Sequence, residues 1–503
     1  MLKERRPGAV SNVVAGRDTA ARLTWRDWWT WAIAVTVFGA YATLSLYRLF
    51  TLTPMSWDLG IYTEYVKQYA DLHAPIVDIR GAGFNLLGDH FQPIVALIAP
   101  FFRIFPTPAT LLVAQALLTA VSVFPVVTVG RALLGPRRAR AVGLAYGFSW
   151  GLQQMINFDF HEIAFAVLLL AFSLSALVRG RYKAAVVWAL PMVFVKEDQG
   201  FTVAAIGLFL LAAGWRSRDQ VRLRGGALLV VWGLAWSILA ITVIIPHFNP
   251  QHDYYYWKDG GAIGPGGPSS AIAVARQTLT AWPEKLQTTI LLLLPTAFIA
   301  LGSPVALIIV PSLVLRFVSS NSAYWGTMWH YDATVMPILF IAAIEVMRRW
   351  DTAGAGDSPG AGVHAAVRRT AVLRAAAARH GPAMMLAVAV AMAFQFPLSD
   401  LWNGSTYTIT PHVTAADTAM ARVPDGATVT TTLDLLAPLA ARTDTFWIGN
   451  PGNPKTTYVV FDGQDSGYSP APSNVPAFVR QLFPGDGYRP VFSDDDVYVF
   501  KRG

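Results

Sequence analysis

The sequence predicts a mainly α-helical, polytopic membrane protein that ends in a small α/β domain, and three observations carry that reading. Hydrophobic residues make up 54% of the 503 and charged residues only 14%, where soluble domains average about 25% charged. Apolar runs near the length of a bilayer crossing, about 20 residues for a helix, recur between Trp28 and Pro397. From Ser399 the hydropathy falls, and strand-like pieces alternate with helix-like ones. The expected division is a cytoplasmic N-terminal segment 1–27, a transmembrane domain 28–397 with an external loop 51–108, and an external domain 398–503.

Composition narrows the chemistry. No cysteine is present, so disulfides and thiolate-bound metals are excluded, and any metal must use Asp, Glu or His. The net charge of +8 would suit nucleic acid, but most Lys and Arg lie between apolar segments, where the positive-inside effect places them. No nucleic-acid partner is expected. The hydrophilic lead with Lys3, Arg5, Arg6, Arg17 and Arg22 is followed by an apolar core without a small-residue cleavage site, so the first helix is expected to stay.

Taken in order, Trp28 to Phe50 is the first span, with Trp28, Trp29 and Trp31 where an aromatic belt belongs and its N-terminal side cytoplasmic. In the loop beyond it, Leu59, Tyr62, Val66 and Tyr69 recur at helical spacing against Glu64, Lys67, Gln68 and Asp71, which predicts a helix lying along the surface. Phe91 to Phe105 is short and holds Pro93 and Pro100; treating it as non-spanning keeps Arg131, Arg137, Arg138 and Arg140 inside. Spans then alternate over 110–129, 141–156, 163–177, 184–195, 201–215 and 228–245, with basic inside turns around Arg179 and Arg216 to Arg224. A loop from Pro246 to Pro283, with Tyr254 to Trp257 and a Gly/Pro cluster at 260–268, is a candidate substrate lid. A helical hairpin of 286–300 and 305–317, a span over 333–347, a basic linker from Arg348 to His380 and a last span to Pro397 complete eleven crossings. In the tail, strands are expected at 427–431, 458–461 and 497–500, with helices at 416–423 and 475–483.

On this topology the acidic residues converge on one face. Asp58, Asp89 and His90 lie in the first external loop, Asp159, His161 and Glu162 at one external junction, and Lys196, Glu197 and Asp198 at another. Ionisable groups at membrane depth are costly and mark functional sites. Asp and His also serve as helix caps, adjacent opposite charges can merely anchor a boundary, and Arg316 can simply snorkel. As chemistry, Lys196 suits a phosphate as a point charge, and Arg316 with His330 and Tyr331 offers a second phosphate-binding group. His90, His161 and His330 with Asp89 and Glu162 could compose a divalent-cation site, although their spacing matches no ligand motif. The aromatic run Tyr254 to Trp257 suits stacking on sugar rings or an interfacial belt. Hydrolase-elbow, P-loop and dinucleotide signatures are absent.

The layout, with an acid after the first span, an external loop with surface helices and an acid at the outer end of the third span, resembles the GT-C membrane glycosyltransferases. The strings SWDLGIY, GDHFQP, FDFHE and VKEDQG resemble an uncharacterised bacterial membrane-protein family, a domain of unknown function grouped with the GT-C clan. The Ala, Arg and Gly bias is similar to that of high-GC bacteria. The resemblance implies a GT-C-like helix bundle that inverts a sugar during transfer from a polyprenyl-phosphate donor to a glycan, lipid or protein acceptor of the cell envelope. It implies Asp58 as base and matches Asp159 to the second acid, with Glu162 beside it. One departure is that Asp58 is followed by Leu59 rather than a second acid. A transporter or flippase of lipid-linked intermediates, and a non-catalytic envelope scaffold, are the competing readings.

Overall fold

The computed structural model describes residues 27–53, 57–258, 271–356 and 365–503. Ser56, the basic residues of the N-terminal lead and the Gly/Pro cluster at 260–268 lie outside them. Among the described residues, six helices are long and apolar enough to cross a bilayer: Trp28–Phe50, Pro108–Leu134, Gln199–Ser217, Gln220–Phe248, His330–Thr352 and Arg369–Ala393. Four shorter apolar helices are Pro93–Ile104, Ile163–Val178, Tyr182–Phe194 and Pro304–Val318. The chain is thus a multi-pass membrane protein with a mainly helical bundle.

Helix α1 (Trp28–Phe50) starts behind Asp27, whose Oδ2 accepts from Thr30 Oγ1 at 3.0 Å and pairs with Arg131. After it comes α2 (Trp57–Ala70). Helix α3 (Pro108–Leu134) has proline in its first turn, where no N–H is needed, and stops at Gly135 with φ +87°. The expected crossing at 141–156 is two helices, α4 (Pro136–Gly147) and α5 (Trp150–Asn157), broken at Phe148 and Ser149. They lead to α6 (Ile163–Val178), while the short helix Tyr182–Ala189 precedes α7 (Gln199–Ser217) and α8 (Gln220–Leu239). The expected hairpin of 286–300 and 305–317 is interrupted too. Its first helix ends at Leu293, just before Pro295; Ala297 and Phe298 then take positive φ, and α9 (Val310–Val318) follows only after a 3-10 stretch from Pro304. Proline lacks the N–H that would continue each helix.

Helix α10 (Val335–Gly356) packs on α3 and α6, and the stretch His330–Thr352 is almost wholly buried. The basic linker is largely helical: α11 (Ala365–Ala393) carries Arg368 to Arg379 in its first turns, and the Arg138 guanidinium meets Asp351 at 2.7 Å.

Two contacts set the positions that matter for the site. α7 and α8 form a tight antiparallel hairpin through glycines spaced by seven, Gly200 and Gly207 facing Gly233 and Gly226. A Cβ on Gly207 would lie 2.7 Å from the Gly226 carbonyl, so the backbones touch, as small residues allow within membranes. Gly88 is held equally closely: a Cβ there would meet the backbone of Phe248 and Asn249 at 2.6 Å, and Asn249 Nδ2 donates to the Gly88 carbonyl at 2.8 Å.

The tail builds a five-stranded sheet in the order β2-β1-β3-β5-β4. Strands β1 (Thr428–Thr431), β2 (Asp444–Trp447) and β3 (Tyr458–Asp462) are parallel. Strands β4 (Tyr488–Asp494) and β5 (Val497–Arg502) pair antiparallel beside β3, with Val460 opposite Val499. β2, β4 and the helix α13 (Leu436–Ala440) were not expected, while α12 (Pro411–Ala421) and α14 (Val475–Leu482) meet the two expected helices.

The helix expected at 59–71 forms as α2, and it is buried from Leu59 to Val66, Glu64 included, so cover extends beyond its apolar stripe. The tail covers it: Leu436 Cβ stands 3.0 Å from where a Gly60 Cβ would be, and Lys67 Nζ donates to the Thr443 carbonyl at 2.6 Å.

Candidate functional site

The ionisable groups of the site sit at helix ends, not in helix centres. Asp58 is in the first turn of α2, Asp89 and His90 follow the 3-10 turn Leu86–Gly88, and His161 and Glu162 precede α6. Lys196, Glu197 and Asp198 fill the turn before α7, while the 3-10 turn His330–Asp332 opens the helical stretch that contains α10. Gly88 fixes the second group against Asn249, and Ser237 of α8 fixes the fourth by donating to the Glu197 carbonyl at 2.6 Å.

Glu162, fully buried, is the hub. Its Oε1 lies 3.2 Å from Lys196 Nζ, and its Oε2 accepts from the Tyr62 hydroxyl, which also stands 2.9 Å from Gln92 Oε1. Burial alone would raise the Glu162 carboxyl, but Lys196, His161 and Tyr62 outweigh it and hold it below the ordinary glutamate value. For Lys196 burial would favour the neutral amine, yet Glu162, Glu197 and Asp198 hold the ammonium well above its usual range. Asp58, with its side chain 34% exposed, faces His161 Nε2 at 3.7 Å. Burial raises its carboxyl above the ordinary aspartate value against the pull of His161, with Glu162 adding to the rise. His161 is pushed down by burial, against the pull of Asp58 and Glu162.

A second group sits beside it. His90 Nδ1 and Glu197 Oε1 are 2.7 Å apart, the Phe91 amide donates to Glu197 Oε2 at 3.1 Å, and the Tyr254 hydroxyl donates to Glu197 Oε1 at 2.9 Å. Against the effect of burial, His90 brings Glu197 down to about 2 and is itself raised. Asp89 pairs with Arg80 at 3.4 Å and accepts from the Tyr256 hydroxyl at 3.3 Å, while the Tyr256 ring stacks on His90. Arg316 turns most of its donors to protein: Nη1 meets Asp332 Oδ1 at 2.7 Å, Nε the Tyr324 carbonyl at 2.9 Å and Nη2 the Gly326 carbonyl at 3.2 Å.

Beside these groups lies a cavity of about 210 Å³ whose wall includes His90, Lys196 to Gln199, Arg316, His330 and Tyr331. Asp58 and Glu162 stand behind that wall: His161 stacks on His330 with ring centroids 4.1 Å apart, which carries the Asp58 contact to the cavity edge. Of the expected residues, Asp159 is placed differently. It takes φ +55° at the turn before α6, its carbonyl accepts from Gln115 Nε2, and it is outside the cavity wall. Among the described residues no three His, Asp or Glu side chains group as a metal cage requires. Sequence reasoning passed over Tyr62, Gln92, Arg80 and Gln199. Tyr62 follows Asp58 by four residues on one helix, a spacing that places both on one face.

The profile of a family described as "Predicted membrane protein (DUF2079)" matches residues 48–458. The chain belongs to the DUF2079 family. No curated protein matches the chain in sequence. Among solved structures, ArnT from Cupriavidus metallidurans bound to undecaprenyl phosphate is 15% identical, with a TM-score of 0.53 over 93% of this chain and 97% of ArnT. The apo state of that ArnT gives 15% identity and a TM-score of 0.49 at the same coverage. The Archaeoglobus fulgidus oligosaccharyltransferase in complex with Zn and sulfate is 14% identical, with a TM-score of 0.38 over 93% of this chain and 73% of its own. The ArnT likeness shows that this DUF2079 chain has the GT-C-like fold.

Proposed function

We propose that this protein is a membrane glycosyltransferase that moves a sugar from a polyprenyl-phosphate donor to a cell-envelope acceptor at the outer face of the cytoplasmic membrane, with its N-terminus inside and its tail outside. The observation that carries the reading is the joining of Asp58, His161, Glu162 and Lys196 into one charged network beside a small cavity. The undecaprenyl phosphate held by the fold neighbour ArnT supports a lipid-phosphate donor.

In this reading Lys196, kept cationic by Glu162, Glu197 and Asp198, meets the donor phosphate. Asp58 takes the proton of the acceptor hydroxyl as that oxygen bonds to the anomeric carbon. The bond from that carbon to the phosphate oxygen breaks, polyprenyl phosphate leaves with the electron pair, and Lys196 offsets the charge it gains. A direct displacement inverts the anomeric carbon. The burial that raises Asp58 makes it a stronger base than a solvated aspartate. Transport is supported less well, because the acids sit at helix ends instead of along a mid-membrane path. Asp58→Asn is expected to lower transfer from polyprenyl-phosphate sugar by about 10²- to 10⁴-fold while insertion and thermal stability are kept. Activity equal to wild type in that variant would remove Asp58 as the base.

A further inference from the structure

We propose that the cavity beside Lys196 seats a single neutral, hydroxyl-rich sugar ring, and that Gln199 and His330 are the side chains that read its hydroxyls. The proposal rests on the glycosyltransferase reading and adds which part of the donor this space holds. Gln199 is 5% exposed, lines the cavity, and leaves Oε1 without a hydrogen-bond partner while its Nε2 donates to Asp198 Oδ1 at 3.1 Å. His330 is also 5% exposed and lines the cavity, and neither of its ring nitrogens has a hydrogen-bond partner. Buried polar groups in folded proteins are almost always paired. Two unpaired ones on the wall of one cavity point to a ligand that pairs them.

The chemistry of the wall selects the ligand. Gln199 Oε1 accepts, a neutral imidazole both donates and accepts, and Asp198 and Glu197 add carboxylates. A phosphate in the middle of that set would face like charge, whereas hydroxyls donate to the carboxylates and the amide and accept from the imidazole. Tyr254, Tyr256, Tyr324 and Tyr331 supply ring surface for the C–H faces of a sugar. The volume, about 210 Å³, is below the roughly 300–1,000 Å³ of clefts that take drug-sized ligands, a size that suits one sugar ring. Lys196 on the same wall leaves the phosphate of that donor at the cavity's edge.

The test compares binding of bare undecaprenyl phosphate with undecaprenyl phosphate carrying glucose, galactose or mannose, using the full-length protein in lipid nanodiscs and intrinsic tryptophan fluorescence. Wild type is expected to bind at least one glycosylated lipid about 10-fold more tightly than the bare one, as two or more added hydrogen bonds would give. Gln199→Met and His330→Phe are each expected to lose about 3- to 10-fold of that preference, and Gln199→Met to keep its affinity for the bare lipid, while an unchanged thermal melt reports that both fold. Variants that weaken both lipids equally, or that keep the full preference, overturn the proposal. Wild-type binding of the bare lipid without preference for any of the three sugars overturns the sugar pocket alone. Failure to bind any of these lipids overturns the donor reading along with it.

Discussion

At the residue scale, α2 holds two carboxylates in opposite situations. Asp58 keeps a third of its side chain exposed, while Glu64 is 1% exposed and its Oε2 accepts from the Ile79 amide at 3.1 Å. Burial outweighs that hydrogen bond and the nearby Lys67, and pushes the Glu64 carboxyl up to about 8. Folded protein therefore keeps a proton on Glu64 that the unfolded chain has already released between about pH 5 and pH 8. Unfolding releases that proton in this window, so stability falls as pH rises through it, by up to about 1.4 kcal/mol per unit. Glu64→Gln keeps the acceptor for Ile79 and removes the proton. Thermal melts of both proteins at the two ends of the window are expected to show the wild type losing stability relative to the variant as pH rises, and parallel curves would refute the assignment. Charge was readable at these positions from the sequence, but burial was not. The apolar stripe Leu59, Tyr62, Val66 and Tyr69 marks one buried face, and the second face of α2 is covered by Leu436 and Ala437, nearly four hundred residues away.

At the scale of elements, the α7–α8 hairpin is the rigid support under Lys196, Glu197 and Asp198. A Cβ at Gly200 would collide with the Gly233 carbonyl and with Ser237 Oγ, the hydroxyl that holds Glu197. Gly200→Ala is expected to destabilise the protein by about 1–3 kcal/mol through overpacking and to lower activity by shifting the turn before α7. Gly39→Ala in α1, with nothing within 4 Å of its new carbon, is the matched control that should melt like wild type or higher. A Gly200→Ala protein with unchanged melting and activity would contradict this role. The helices themselves were legible because apolar length and basic turns are properties of local sequence. The breaks at Phe148 and after Leu293 were not, since each apolar run continues across a backbone interruption that hydropathy averages away. β2 and β4 are the two edge strands of the sheet, each paired on one side only with a strand close by in the chain, and each shows little strand signal alone.

For the molecule as a whole, the tail and the bundle meet on the helix that carries Asp58. Trp57 packs edge-on against Trp447 at 4.8 Å, Asn450 Nδ2 donates to the Ile79 carbonyl at 2.8 Å, and Gly60 gives Leu436 room to approach. Gly60→Leu would push the two bodies apart there. It is expected to reduce transfer severalfold while membrane insertion is unchanged, measured by activity alongside limited proteolysis of the tail, which should become faster. Unaltered proteolysis and activity would show that this contact does not position Asp58. The GT-C-like layout and most of the site were legible because FDFHE and VKEDQG concentrate charge at helix ends. The closing of the site was not, because it depends on pairs such as Gly88 with Asn249.

That pair has a consequence for biosynthesis. Gly88 and Asn249 are 161 residues apart, and synthesis proceeds at about 5–20 residues per second, so the first loop emerges roughly 8–30 s before its clasp. Lys196 and Glu197 also arrive late, leaving Glu162 and His90 without these partners on the growing chain. The site is thus among the last features to mature, and a ribosome stalled before Asn249 leaves an inserted but incomplete protein.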